Sequence, residues 1–182
     1  MMNRILLLFV VLSTSLLSGC SNDDDNNASE SNNNFLKIGN SEYELKAGSV
    51  ENYGEYQAGI YNFDIVLIST AVNLVNGEFV PEDQVFSGIY FELFTSDQGD
   101  LAVGTYTQVP FEDIDAQTFE YSEVIQDAEI DNEDETGIFS ELVQGSIDVI
   151  KNGPEYEFEF SGVDDLGRSI SGYYKGTLVS ID

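Results

Sequence analysis

From Phe35 to the end, the chain alternates apolar and polar residues with a period of two. "EYEFEF" places Tyr156, Phe158 and Phe160 on one side and Glu155, Glu157 and Glu159 on the other. Only an extended strand, whose successive side chains point to opposite faces, converts that spacing into one wet face and one dry face. "YNFDIVLIS" repeats the pattern: Tyr61, Phe63, Ile65 and Leu67 point inward, and Asn62 and Asp64 outward. "FSGIYFELF" is apolar on both sides, with Ile89, Phe91 and Leu93 opposing Phe86, Tyr90 and Phe94. A strand covered on both faces belongs in the middle of a sheet.

Turn signals punctuate these runs: "GNS" at 39–41, "VNGE" at 75–78, "SDQGD" at 96–100, "KNGP" at 151–154 and "DDLGR" at 164–168. "QGSIDVI", "EYEFEFSGV" and "SISGYYKGTLVSI" read as a three-stranded meander. In the last of these, Ile170, Gly172, Tyr174, Gly176 and Leu178 share a face. Two glycines beside an inward aromatic predict a bend or a close strand approach. No stretch carries a 3.6-residue period over a normal helix length, although "SVENYGEY" reads as one helical turn. The expectation is an all-β fold of about eight to ten strands, mostly antiparallel and sequential, in a single sandwich or strongly curled sheet. A lipocalin-like closed barrel is the alternative, weakened by the lack of a Trp in the first strand.

The chain start is different. Arg4 precedes the apolar run Ile5–Leu12, and Leu16 and Leu17 follow a short Ser/Thr break. The run is too short for a bilayer core about 30 Å thick, and it reads as a secretory leader. Leu17-Ser18-Gly19-Cys20 resembles the lipobox of bacterial lipoproteins. That resemblance implies cleavage before Cys20, a diacylglyceryl group on its thiol and an acylated amine. Cys20 is the lone cysteine, which in a secreted chain leaves an unpaired thiol. Two or more acyl chains hold a protein stably where one does so only marginally. The expectation is therefore anchoring to the membrane through an N-terminal lipid, without spanning it. Ser21 is not the Asp that marks inner-membrane retention in such families, and "SNDDDNN" resembles an acidic surface-export signal. Together these imply the bacterial outer membrane and exposure at the cell surface. Residues 20–34 form an acidic, Asn-rich tether without apolar periodicity, with a coil reach of roughly 20 Å. The divisions are thus a leader at 1–19, a tether at 20–34 and one β domain at 35–182. "FLKIGNSEYELKAGSVENYG", "YNFDIVLIS", "IYFELFTSDQGDLAVGTYT" and "GSIDVIKNGPEYEFEFSGVDDLGRSISGYYKGTL" resemble a group of small all-β bacterial surface lipoproteins. This likeness implies no activity and no catalytic residues.

Composition narrows the chemistry. The chain has 34 acidic residues against 6 basic ones, one of them Arg4 in the leader. Phosphate backbones are bound by clustered Lys and Arg, so nucleic acid is excluded as a partner, as are anionic headgroups. Histidine is absent, which removes Ser-His-Asp triads, Cys-His pairs and His-bearing zinc sites. No phosphate-binding glycine loop is present, and no cofactor is expected. Carboxylates are the one abundant reactive group, and a glycosidase needs only two of them about 5 to 10 Å apart across a cleft.

Two weaker constellations remain. In "DAEIDNEDETG", Asp127, Glu129, Asp131, Glu133 and Glu135 alternate and could offer oxygen ligands to Ca²⁺. Counting twelve from Asp131 reaches Leu142, where an EF-hand requires a Glu, so a solvated acidic loop is the expectation and no metal. Tyr53, Tyr56, Tyr106 and Tyr173 sit beside turns or on outer faces, where aromatics could stack on a glycan. The function expected is a lipid-anchored envelope protein with a non-enzymatic binding or accessory domain, its partner a protein or glycan of the envelope. A carboxylate-dependent, glycosidase-like hydrolase is the first alternative. A lipophilic-ligand carrier is the second, and it needs a barrel with a cavity.

Overall fold

The computed structural model describes residues 33–75, 78–129 and 136–181. Cys20, most of the tether and the acidic residues Asp131, Glu133 and Glu135 lie outside that set. Among the described residues thirteen strands are present: β1 (Phe35–Ile38), β2 (Ser41–Glu44), β3 (Ala47–Gln57), β4 (Ile60–Ile68), β5 (Val72–Val75), β6 (Glu78–Pro81), β7 (Val85–Thr95), β8 (Gly104–Gln108), β9 (Thr118–Glu129), β10 (Thr136–Lys151), β11 (Tyr156–Asp164), β12 (Ser169–Gly176) and β13 (Val179–Ile181). The only helical element among the described residues is a single 3₁₀ turn at Phe111–Asp113. "SVENYGEY", read as a helical turn, is strand β3 instead. Its Gly54 takes φ +82° and the register slips between Asn52 and Gly54, so the breaks in alternation there are bulges.

The fold is all-β, as the alternation requires. Eleven strands make one mixed, strongly curled sheet, a half-barrel, in the order β13-β3-β4-β7-β9-β8-β10-β11-β12-β1-β2; β5 and β6 form a small separate hairpin. "FSGIYFELF" is β7, which lies between β4 and β9 as expected of a doubly covered strand. The β10-β11-β12 meander is also as expected. Two pairings are parallel rather than antiparallel. β13 runs along β3, and β8 wedges between β9 and β10. β9 and β10 form a ladder where Glu123–Glu129 faces Thr136–Glu141, then part. Into the gap comes β8, antiparallel to β10 at Ser146–Val149 and parallel to β9 at Thr118–Phe119.

Curling follows from the chain path. β2 and β3 stand near opposite ends of the strand order, yet only Leu45 and Lys46 connect them. Such a link spans at most about 11 Å, so the far edges of the sheet must approach each other there. Successive amides serve opposite edges: Leu45 N–H donates to the Asn34 carbonyl (3.2 Å) and Lys46 N–H to the Ile68 carbonyl (2.8 Å). Leu45 itself is buried in the core. Asn34 extends the seam through its side chain, which accepts from Lys175 N–H (2.7 Å) and donates to the Lys175 carbonyl (3.1 Å). A second short link, Thr177–Leu178, carries the chain from β12 to β13 and hence back to β3.

Inside the curl the alternating residues meet. Phe91 of β7 touches Phe119 of β9 and Phe160 of β11 edge-on, with ring centroids 5.6 and 5.5 Å apart. β7 and β11 stand four places apart in the strand order, so their contact means that aromatic side chains fill the middle. Phe158 stacks between Tyr156 and Tyr174. The glycine of β12 makes this packing fit. A Cβ on Gly172 would lie 2.1 Å from the Phe160 ring and 2.7 Å from the Phe35 carbonyl. Gly172→Ala should therefore cost about 1–3 kcal/mol through overpacking, read as a drop in urea midpoint at unchanged slope. Gly99→Ala, where the nearest atom is 3.6 Å away, should stay within about 0.5 kcal/mol. Equal effects at the two positions would contradict the close approach of β11 and β12.

Candidate functional site

Acidic residues are not spread evenly over the sheet. On the outer face, register brings Glu51 of β3 opposite Asp64 of β4, and Asp64 opposite Glu92 of β7. Directly paired side chains stand about 4.5–5.5 Å apart at Cβ, where like charges repel. The three carboxylates form a row across three neighbouring strands, with Glu120 of β9 close enough to Glu92 to add to the repulsion. Tyrosines stand among them. Tyr90 donates to Asp64 Oδ2 at 2.6 Å, and its ring lies 5.8 Å from that of Tyr121. Tyr53, which is 59% exposed, rises beside Glu51.

Burial and this crowding alter the titration of Asp64 and Glu92. Burial pushes the Asp64 carboxyl above the usual range, and the charge of Glu51 adds to the rise; the Tyr90 hydroxyl pulls the other way. The Asn62 amide lends Asp64 further support, though its nitrogen meets no acceptor at good hydrogen-bonding geometry. Glu92 is raised by its partial burial and then by Asp64 and Glu120. Burial, then the hydrogen bond to Asp64, also holds the Tyr90 phenol well above its ordinary value, so it acts here as a donor.

A second polar assembly sits at the end of the sheet where β11 turns into β12. Asp164 is 1% exposed. It accepts from Arg168 Nε at 2.7 Å, from the Arg168 amide at 2.6 Å and from Ser140 Oγ at 2.9 Å. The guanidinium continues to Gln126 Oε1 at 2.6 Å and Ser140 Oγ at 2.9 Å, and Gln126 donates to the Tyr43 hydroxyl at 2.9 Å. The network thus ties β2, β9, β10, β11 and the β11–β12 turn together. Burial alone would raise the Asp164 carboxyl, but the Arg168 amide, the guanidinium and Ser140 outweigh it and leave it below the usual range. This assembly reads as structural: each guanidinium nitrogen of Arg168 donates to a protein acceptor, and Asp164 is held by Arg168 and Ser140.

The residues singled out from the sequence are placed as follows. Tyr53 and Tyr56 lie on β3 and are exposed, although the Tyr56 ring packs on Phe94 with centroids 4.9 Å apart. Tyr106 is fully buried and donates to the Ala102 carbonyl at 2.9 Å, so it is a core residue and not a stacking platform. Tyr173 is half-buried and donates to Glu157 at 2.8 Å. Asp127, at φ +53°, receives the Ser87 hydroxyl at 3.4 Å and the Tyr43 hydroxyl at 3.5 Å. Glu129 ends β9. Asp131, Glu133 and Glu135 lie outside the described residues, and among those described no three acids are grouped to hold a metal. The row itself was missed in the sequence: alternation puts Asp64 outside, but only register sets it between Glu51 and Glu92.

Comparison with known proteins returns no matching family model, no matching curated protein and no matching solved structure.

Two predictions follow from the opposite shifts. Asp64 has a folded pKa above its unfolded value near 3.9. Its charge therefore weighs on the folded state at neutral pH, and folding gains stability as pH falls through the folded value towards about 4. Asp64→Asn should melt higher than the parent at pH 7, and the gap should narrow by pH 5; a lower melting temperature at pH 7 would contradict the repulsion. Arg168→Met, in contrast, strands the buried Asp164 charge and should cost about 3–5 kcal/mol in a denaturant titration at pH 7. Its deficit should shrink in acid, because the parent loses the Asp164 contribution as pH falls through that group's depressed pKa.

Proposed function

We propose that the protein is a lipoprotein of the bacterial outer membrane, acylated at Cys20 and held at the cell surface by residues 20–34. In this reading the β domain is a non-enzymatic binding or accessory module. The anchor rests on Leu17-Ser18-Gly19-Cys20 behind the Arg4-led apolar run. The observation that carries the rest is the row Glu51–Asp64–Glu92. Its carboxylates are lateral neighbours on the open face of one sheet. Glycosidic hydrolysis needs two carboxyls flanking the bond from opposite sides. A lateral row suits contact with a partner surface better than attack on a bound sugar. Nor does the aromatic packing at Phe91, Phe119 and Phe160 favour a lipophilic carrier, because those rings occupy the space such a ligand would take.

Cells expressing the full chain and fed a labelled fatty acid should yield labelled protein that partitions into detergent. Cys20→Ala should abolish both. Unchanged labelling in the variant would refute the anchor. Protease added to intact cells should degrade the wild-type domain if it faces outward, and spare it if it faces the periplasm.

A further inference from the structure

We propose that the outer face of β9, β10 and β11 docks a basic, amphipathic polypeptide segment of a partner protein, one carrying Lys or Arg interleaved with apolar side chains. This names a partner class for the binding module and rests on that reading of the domain.

Two independent features of the face match such a segment. The first is uncovered apolar surface. Phe139 (39% exposed) and Val143 (61%) point outward from β10, and Val163 (39%) from β11. Leu166 (57%) stands on the turn that follows, held near β10 because the Asp165 amide donates to the Glu141 carbonyl at 2.8 Å. Apolar side chains on neighbouring strands form a patch rather than scattered singles, and such patches mark contact surfaces.

The second feature is unneutralised charge within the same patch. Glu141 lies between Phe139 and Val143 along β10 and faces Glu123 of β9 directly across the ladder. Tyr121 beside them has its phenol pushed up, by burial first and then by these two charges. The ion pairs among the described residues are Lys46–Asp83, Lys151–Glu155, Arg168–Asp164 and Lys175–Glu157, and none reaches Glu123 or Glu141. The Tyr121 hydroxyl donates to Glu123 at 3.4 Å, but no cation of the described residues pairs with either carboxylate, and like charges directly opposite one another favour cations from outside. An acidic or neutral partner would bury those charges without compensation, which is costly. A bare polycation would leave the apolar side chains uncovered. Only a segment with both characters satisfies the face.

The test uses the full-length lipoprotein in uncharged detergent, with protein-free micelles as background. The probe is a fluorescent 16-residue peptide of Lys and Leu, compared with oligolysine and with a Glu–Leu peptide of the same pattern. The Lys–Leu peptide should bind, more weakly as NaCl rises, and more tightly than either control. The double variant Glu123→Gln, Glu141→Gln should weaken it about tenfold, and Val143→Ser several-fold. Glu112→Gln with Asp113→Asn, exposed acids of the 3₁₀ turn outside these three strands, should change it less than twofold. Melting temperatures of all variants check that each is folded. Failure of the Lys–Leu peptide to bind overturns the inference. So does oligolysine binding as tightly, or equal losses from the two double variants, since either outcome reduces the effect to bulk charge. None of these outcomes depends on acylation at Cys20, so this inference can fail while the anchor stands, and the reverse.

Discussion

The two-residue seam at Leu45 and Lys46 is the constraint on which this molecule depends. A flat sheet of eleven strands would keep its ends tens of ångströms apart, at nearly 5 Å per strand. Here β2 and β3 belong to those distant ends and are joined by a link too short to cross such a gap. The sheet must roll, and rolling decides what becomes inside. It brings Phe91 of β7 against Phe160 of β11, and Tyr43 of β2 against Gln126 of β9. The rolled sheet also needs local relief where strands bend. Register shifts in β3, β9 and β10 supply it, and Gly172 lets Phe160 lie on the backbone of β12.

Charge distribution follows a second logic. Five basic residues serve the β domain, and four of them form ion pairs. Arg168 is committed to the buried Asp164, whose charge would otherwise be untenable in the packed end of the sheet. Lys151 and Lys175 serve Glu155 and Glu157, which they hold below the ordinary carboxylate range. The fifth, Lys37, stands on β1, and no base is registered opposite Glu51, Asp64, Glu123 or Glu141. Burial first, and then neighbouring carboxylates, shift two carboxyls there, Asp64 and Glu92, the other way. A folded domain thus carries both acid-strengthened and acid-weakened groups. Their placement, rather than the total charge, decides how stability varies with pH.

Much of this was legible in the chain itself. Alternation identified β4, β7 and β11 and the face each buries, because a strand reports its orientation every second residue. Gly39, Gly153 and Gly167, all at positive φ, sit in turns the sequence marked. The paired glycines of β12 announced a close approach before any contact was known. Errors arose where alternation lapsed. "SVENYGEY" resembled a helical turn because two bulges interrupt its period, and Tyr106 looked like a surface aromatic because β8 is too short to show which face it buries.

What the sequence determined by itself is local and periodic: an all-β domain from Phe35 onward, strong acidity, the absence of His-based chemistry, and a lone Cys behind an apolar run. These depend on residue type and on neighbours one or two positions away. What tertiary structure decided is pairing. Thirty-four carboxylates are visible to anyone counting, but which of them face one another depends on register between strands distant in sequence. A slip of one residue would turn every side chain of a strand to the opposite face. The row Glu51–Asp64–Glu92, the partnered Asp164 and the bare face at Glu123 and Glu141 are therefore properties of the rolled sheet, where non-local hydrogen bonds fix which side chains meet.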